Sequence, residues 1–234
     1  MKSEEAGHSR RCVLLFARAP RAEAAVKGLR GGEALFALSQ GRVRAAVDAL
    51  SGVELVLVPP AAQAGADFGG KLEAAFRDAA HRGYEEIVAV PGDVPEVTAK
   101  DLASAFRALS GSDIVLGPSS DGGVWLIGLR VDAVVLSDFF ERIPWRTPHV
   151  LDALVANAPA AVLLGELVDI DRLADALRMR SEARAASDFE LAAALEGLLG
   201  ASSPIRPFAT APASLSPLSP SPASRAPPPS LLTF

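Results

Sequence analysis

Apolar residues along most of this chain follow two alternating rhythms. Short, mainly apolar runs at Cys12–Ala17, Val53–Val58 and Ile87–Val90 read as strands of a covered sheet. Between them the apolar positions fall three and four apart, which predicts helices over Glu33–Leu50 and Gly70–Arg82. In the second of these Leu72, Ala75, Phe76 and Ala79 form one stripe and Gly83 is the stop. A third helix follows Thr98, with Leu102, Ala105, Phe106 and Leu109 at helical spacing and a capping pair in Thr98 and Asp101. Asp113–Gly117 and Val124–Leu129 read as further strands, Thr147–Ala156 as a helix, Ala161–Leu164 as a short strand and Asp171–Leu199 as mostly helical. Alternation of this kind selects an α/β domain whose mainly parallel sheet is covered on both faces. Ile87–Val90, the helix after Thr98 and Asp113–Gly117 form a βαβ unit, so those two strands are expected to run parallel.

The rhythm stops after Gly200. The last 34 residues hold half of the chain's 18 prolines, with much Ser and Ala, and cannot bury enough surface to offset their ordering entropy. The expected organisation is a flexible N-terminus at 1–10, one domain at 11–200 and a disordered Pro/Ser/Ala-rich tail at 201–234.

A net charge of −5 and a pI near 5.3 argue against general nucleic-acid binding, which needs a basic face. Cys12 is the single cysteine, so no internal disulfide forms, and its place in the first strand marks it as a small buried residue. Ser9-Arg10-Arg11 is followed by too short an apolar run for an export signal, and no stretch is long enough to span a bilayer. A soluble, cytoplasmic protein is the expectation.

The candidate chemistry lies just beyond two strands. Pro91-Gly92-Asp93-Val94-Pro95 breaks both strand and helix and leaves a carboxylate at a strand tip. Asp121-Gly122-Gly123 sits between two apolar runs, where Asp-Gly is also a hairpin signal. Each aspartate alone reads equally as a turn former. Together they offer hard oxygen ligands for Mg²⁺ or Mn²⁺, and the adjacent glycines permit close approach of a phosphate or sugar.

These residues carry a resemblance. Pro91–Pro95 is similar to a "Gly-Thr-Asp-Cys-Pro" motif, and Asp121–Leu129 to an "Asp-Gly-Gly-Tyr-Trp-Leu-Ile-Gly-Leu" segment with one change. Ile143-Pro144-Trp145-Arg146-Thr147-Pro148 resembles "Ile-Pro-Trp-Ser-Thr-Pro", and Val168-Asp169-Ile170-Asp171 resembles an "Asp-Val-Asp" strand. Their order over roughly residues 12–180 resembles bacterial GT-A-like proteins related to the 2-phospho-lactate guanylyltransferases. The resemblance implies a three-layer α/β/α, Rossmann-like GT-A fold of the nucleotide-diphospho-sugar transferase type. It also implies a metal-dependent transferase, glycosyltransferase-like or nucleotidyltransferase-like, acting on a nucleotide or nucleotide-sugar and a small acceptor.

Under that resemblance Asp93, Asp121 and Asp169 would hold Mg²⁺ or Mn²⁺, with Asp93 and Asp121 also catalytic and Asp171 an alternative late ligand. Arg18, Lys27, Gly122 and Gly123 would face phosphates. Trp125, Trp145, Arg146 and Thr147 would line the substrate, although core packing is the commoner fate of a tryptophan. Asp67-Phe68-Gly69-Gly70 resembles an "Asp-Leu-Gly" helix lead-in, which serves either an anion or simple capping. His8, His81 and His149 have no nucleophile or metal spacing around them. The first loop departs from the family pattern, with Ala22-Glu23 in place of Pro-Gly and Lys27-Gly28-Leu29-Arg30 in place of Lys-Thr-Arg-Leu. An acid near a polyphosphate opposes binding. The rival reading is therefore a catalytically degenerate GT-A-like protein with a binding or structural role, in which Arg18 and Lys27 are solvated surface charges.

Overall fold

Strand β1 (Arg11–Phe16) has to satisfy two apolar layers at once, and its sequence does so. Cys12 and Leu14 pack into one layer, Val13 and Leu15 into the other, and all four side chains are buried. In the computed structural model, which describes residues 10–202 apart from positions 133, 135 and 141, this strand lies inside a six-stranded sheet. Of the expected flexible N-terminus only Arg10 is among the described residues, and the tail from residue 203 lies outside them.

After β1 come α1 (Pro20–Val26), α2 (Glu33–Asp48), β2 (Val53–Val58), α3 (Phe68–His81), β3 (Glu86–Pro91), α4 (Ala99–Leu109), β4 (Ile114–Pro118) and β5 (Val124–Arg130). Then follow α5 (Leu136–Phe140), α6 (Val150–Asn157), β6 (Val162–Leu163), α7 (Leu173–Ala185) and α8 (Phe189–Ser202). Helix α4 starts where the capping pair predicts. The Thr98 side chain accepts from the Asp101 amide while the Asp101 carboxylate accepts from the Thr98 amide, which satisfies two donors that an uncapped helix would leave open.

The strand order is β2-β1-β3-β5-β4-β6, and only β5 runs against the rest. Strands β3 and β4 are parallel in direction, as the βαβ reading requires, but they are not partners. The antiparallel β5 pairs with both and lies between them. Asp93 and Asp121 therefore follow strands that are next-but-one in the sheet, not adjacent ones. Helices α3, α5 and α6 cover one face around Phe76, Phe140 and Leu154, while α2 and α4 cover the other around Val43, Val47, Leu102 and Phe106. Both layers were expected, and the fold is the three-layer α/β/α arrangement.

A third apolar cluster extends the domain beyond those layers. Leu29, Leu35 and Phe36 pack there with Ile170, Met179, Leu191, Leu195 and Leu198, so α7 and α8 are fastened to α1 and α2. Arg42 reinforces the same junction, donating to both carboxylate oxygens of Asp188 at 2.7 and 2.8 Å and to the Pro95 carbonyl. Among the described residues no helix is long and apolar enough to cross a membrane.

Candidate functional site

The C-terminal edge of the sheet is where an open α/β fold exposes loops for ligands. Three segments converge there. Strand β3 is followed by Gly92-Asp93, the β4–β5 hairpin turns through Asp121–Gly123, and the chain after β6 runs back across both. This last segment bridges Ser119 at Leu167, where the Leu167 carbonyl also accepts from the Ser120 amide, and then donates from the Ile170 amide to the Asp93 carbonyl at 3.0 Å. Those bonds carry Asp169 and Asp171 past both earlier aspartates.

Carboxylate oxygens of Asp121, Asp169 and Asp171 all lie within 4.8 Å of one another. Asp169 is the half-buried member, and its carboxyl is pushed up to about 7 by burial first, then by the charges of Asp121, Asp93 and Asp171. Among the described residues no ion pair reaches Asp121 or Asp169. Three hard oxygen donors that repel one another, two of them without a basic partner, form a donor set suited to a small divalent cation.

Asp93 lies outside that set, and Lys27 holds it together with Asp171. The Lys27 Nζ donates at 2.5 Å to Asp93 Oδ2, at 2.5 Å to Asp171 Oδ1 and at 2.9 Å to the Ile170 carbonyl, with Glu23 3.8 Å away. Its three protons are thereby used. Only 10% of the Lys27 side chain and 15% of that of Asp93 is exposed. Burial pulls the Lys27 ammonium down, but Asp93 and Asp171 outweigh it and hold the group charged, above an ordinary lysine. Burial pushes the Asp93 carboxyl up, against the pull of Lys27.

Helix α1 is the element that delivers this lysine, and the sequence reading missed it by treating residues 18–30 as a loop. Pro20 at the first helical position was the available signal. The helix places Glu23 inward, buried, where it accepts from Arg18 at 3.1 Å. Arg18 is 42% exposed and keeps further N–H donors. So the substituted acid of the first loop is internally neutralised rather than aimed at solvent.

The glycine turn has a different use from the expected phosphate approach. The Gly122 amide donates to the Ser119 carbonyl and the Gly123 amide to Asp121 Oδ1, so both are occupied within the hairpin. The hairpin reading of Asp121 holds, and the turn leaves its carboxylate beside those of Asp169 and Asp171. Gly122 has φ +88°, and a Cβ there would lie 2.2 Å from the Pro148 carbonyl oxygen, so the turn packs directly on the segment leading into α6.

Trp125 is 1% exposed, with its indole N–H on the Gly165 carbonyl at 3.0 Å and its ring against Gly117. The structure corrects its expected substrate role: a buried indole has no face to offer a ligand, and it instead anchors the return segment to β4 and β5. Trp145 is half-buried against Phe68 and Gly69 at the start of α3. Arg146 is exposed and has φ +65°, a backbone conformation uncommon outside glycine. Thr147 donates to the Pro144 carbonyl at 2.7 Å, a turn that delays α6 to Val150, three residues after the expected start. Asp67 caps α3 through the Gly70 amide.

The fold is that of GT-A-like domains. The family of uncharacterized proteins conserved in bacteria designated DUF2064 matches residues 24–147, and this chain belongs to it. A 3-phospho-D-glycerate guanylyltransferase of Phenylobacterium zucineum (strain HLK1) is 31% identical over 134 residues, which are 56% of this chain and 59% of that relative. The matched part thus spans somewhat more than half of the curated relative. Among solved structures, a candidate nucleotide-diphospho-sugar transferase from Desulfovibrio desulfuricans G20 superposes with a TM-score of 0.69 at 21% identity, covering 83% of this chain and 97% of that one. That likeness establishes the shared fold.

Proposed function

We propose that the chain is a divalent-cation-dependent nucleotidyltransferase, joining a nucleoside monophosphate unit from a nucleoside triphosphate to a small phosphorylated acceptor. The observation that carries this reading is the convergence of Asp121, Asp169 and Asp171 at the C-terminal edge of a GT-A-like sheet. Glycosyl transfer from a nucleotide-sugar is the neighbouring chemistry on the same scaffold. Similarity to a guanylyltransferase favours the nucleotidyl route.

In that reaction an acceptor phosphate oxygen attacks the α-phosphorus, the bond from that phosphorus to the bridging oxygen breaks, and pyrophosphate leaves. Asp121, Asp169 and Asp171 would hold Mg²⁺ or Mn²⁺, and such an ion, when bound, supplies Lewis-acid neutralisation of phosphate charge. The protein's own part is mostly positioning. The hairpin fixes Asp121 through the Gly123 amide, and the bond from Ile170 to the Asp93 backbone fixes the segment bearing Asp169 and Asp171. Arg18 has donors to spare for a phosphate, while Trp145, Arg146 and Thr147 are assigned to the acceptor side.

Calorimetry with GTP, in Mn²⁺ and in EDTA, tests the reading together with pyrophosphate release in the presence of phosphorylated acceptors such as 3-phosphoglycerate. Binding should require the metal and weaken at least tenfold, about 1.4 kcal/mol, in Asp169→Asn. If the folded parent binds no nucleoside triphosphate in Mn²⁺, the catalytically degenerate reading replaces this one.

A further inference from the structure

The Lys27 cage and the cluster of three aspartates share one residue. Asp171 Oδ1 accepts from Lys27 Nζ at 2.5 Å, and an Asp171 carboxylate oxygen also lies within 4.8 Å of oxygens from Asp121 and Asp169. Around Nζ stand two carboxylate oxygens, a backbone carbonyl and, slightly farther, Glu23. These are the all-oxygen surroundings that Mg²⁺ and Mn²⁺ prefer. An ammonium and a divalent ion cannot both lie between Asp93 Oδ2 and Asp171 Oδ1, because like charges at contact distance repel strongly where solvent is scarce.

We propose that Lys27 is a built-in competitor for the divalent cation: the ammonium and a cation held by Asp121, Asp169 and Asp171 compete for the shared Asp171 carboxylate, and metal entry releases Lys27 and frees Asp93 to join the ligands. The inference rests on the proposed metal-dependent reading and adds a regulatory contact to it. Three features support the exchange. Asp171 is 53% exposed, so the cage is open to solvent at that residue. The lysine lies at the C-cap of a seven-residue helix followed by Gly28 at φ +67°, so a short element rather than the sheet carries it. Its three N–H donors are all engaged with Asp93, Asp171 and Ile170, so in this arrangement Lys27 has none left for a phosphate. Displacement is what would make it available.

The first measurement is Mn²⁺ binding without nucleotide, by calorimetry or electron paramagnetic resonance, in the parent, Lys27→Met and Lys27→Met/Asp93→Asn. Removing the competitor should tighten Mn²⁺ binding at least about tenfold, and removing Asp93 as well should cancel the gain. A purely structural lysine would give weaker or unchanged metal binding in folded Lys27→Met, and that result overturns the proposal. The second measurement uses the parent protein alone. Peptide mass spectrometry follows reductive methylation of Lys27 with and without saturating Mn²⁺, with Lys71 and Lys100 as internal references. Lys27 should label several-fold faster in Mn²⁺ while the references stay constant. Equal labelling overturns the proposal even if the variants fail to fold. Metal competition without nucleotide binding would remove the nucleotidyltransferase reading alone, whereas nucleotide binding with a Lys27→Met metal affinity equal to the parent's would remove this inference alone.

Discussion

Asp169 sits in a marked electrostatic conflict. Burial, then Asp121, Asp93 and Asp171, raises its carboxyl to about 7, far above an unfolded aspartate near 4. Between about pH 4 and 7 the folded protein therefore holds a proton that the unfolded chain has released. Stability from this group is present at low pH and lost as pH rises through 7. Asp169→Asn should remove that decline and stabilise the metal-free protein at pH 8 by on the order of 1–3 kcal/mol, with the larger values excluded by partial exposure. Urea titrations at pH 5 and pH 8 measure it, and a parent whose stability does not fall across the interval contradicts the assignment. Mn²⁺ at pH 8 should restore stability to the parent and leave the variant unmoved, because an ion bound to the parent's native state adds its binding free energy.

At the scale of elements, the strands and most helices are legible because each has one dominant period. Strand β2 matches its apolar run and β1 differs by one residue, while the α4 cap follows from Thr98 and Asp101. Helix α1 escaped because Ala24, Ala25 and Val26 give too weak a stripe in seven residues. The Asp-Gly hairpin signal accounts for the antiparallel pairing of β5 with β4, and the separate pairing of β5 with β3 places it between the two. The site was legible in part: Asp121 and Asp169 were singled out, and the structure brings them together with Asp171. The engagement of Lys27 with partners 66 and 144 residues away could not be read from local pattern. Gly122 shows how hairpin and site depend on each other. Gly122→Ala combines a positive φ with a Cβ at 2.2 Å from the Pro148 carbonyl, so it should cost about 2–4 kcal/mol in denaturant unfolding and displace Asp121 enough to weaken Mn²⁺ binding. Unaltered stability and metal affinity in that variant would mean that the turn and the 148 segment can separate freely.

For the whole molecule, the boundary of the folded unit decides what a minimal functional protein must contain. Helix α8 runs to Ser202, past the Gly200 boundary expected from composition, and buries Leu191, Ala192, Leu195 and Leu198. Those side chains share a cluster with Ile170, the residue between the two late aspartates, so the C-terminal helices support the site through packing. A chain ending at Ser202 should keep the parent's melting temperature and metal affinity within experimental scatter, because residues 203–234 have no apolar periodicity with which to build a core. A chain ending at Asp188 removes three buried leucines at about 1.5–3 kcal/mol each and uncovers Ile170. It should lose most of its stability and its Mn²⁺ binding together. Calorimetric scans of the two truncations separate the possibilities: a marked fall in melting temperature for the chain ending at Ser202 would show that Leu215, Leu218, Leu231 or Phe234 packs on the domain and that the boundary lies farther along, whereas a stable chain ending at Asp188 would show that Asp169 and Asp171 are held by the sheet edge alone.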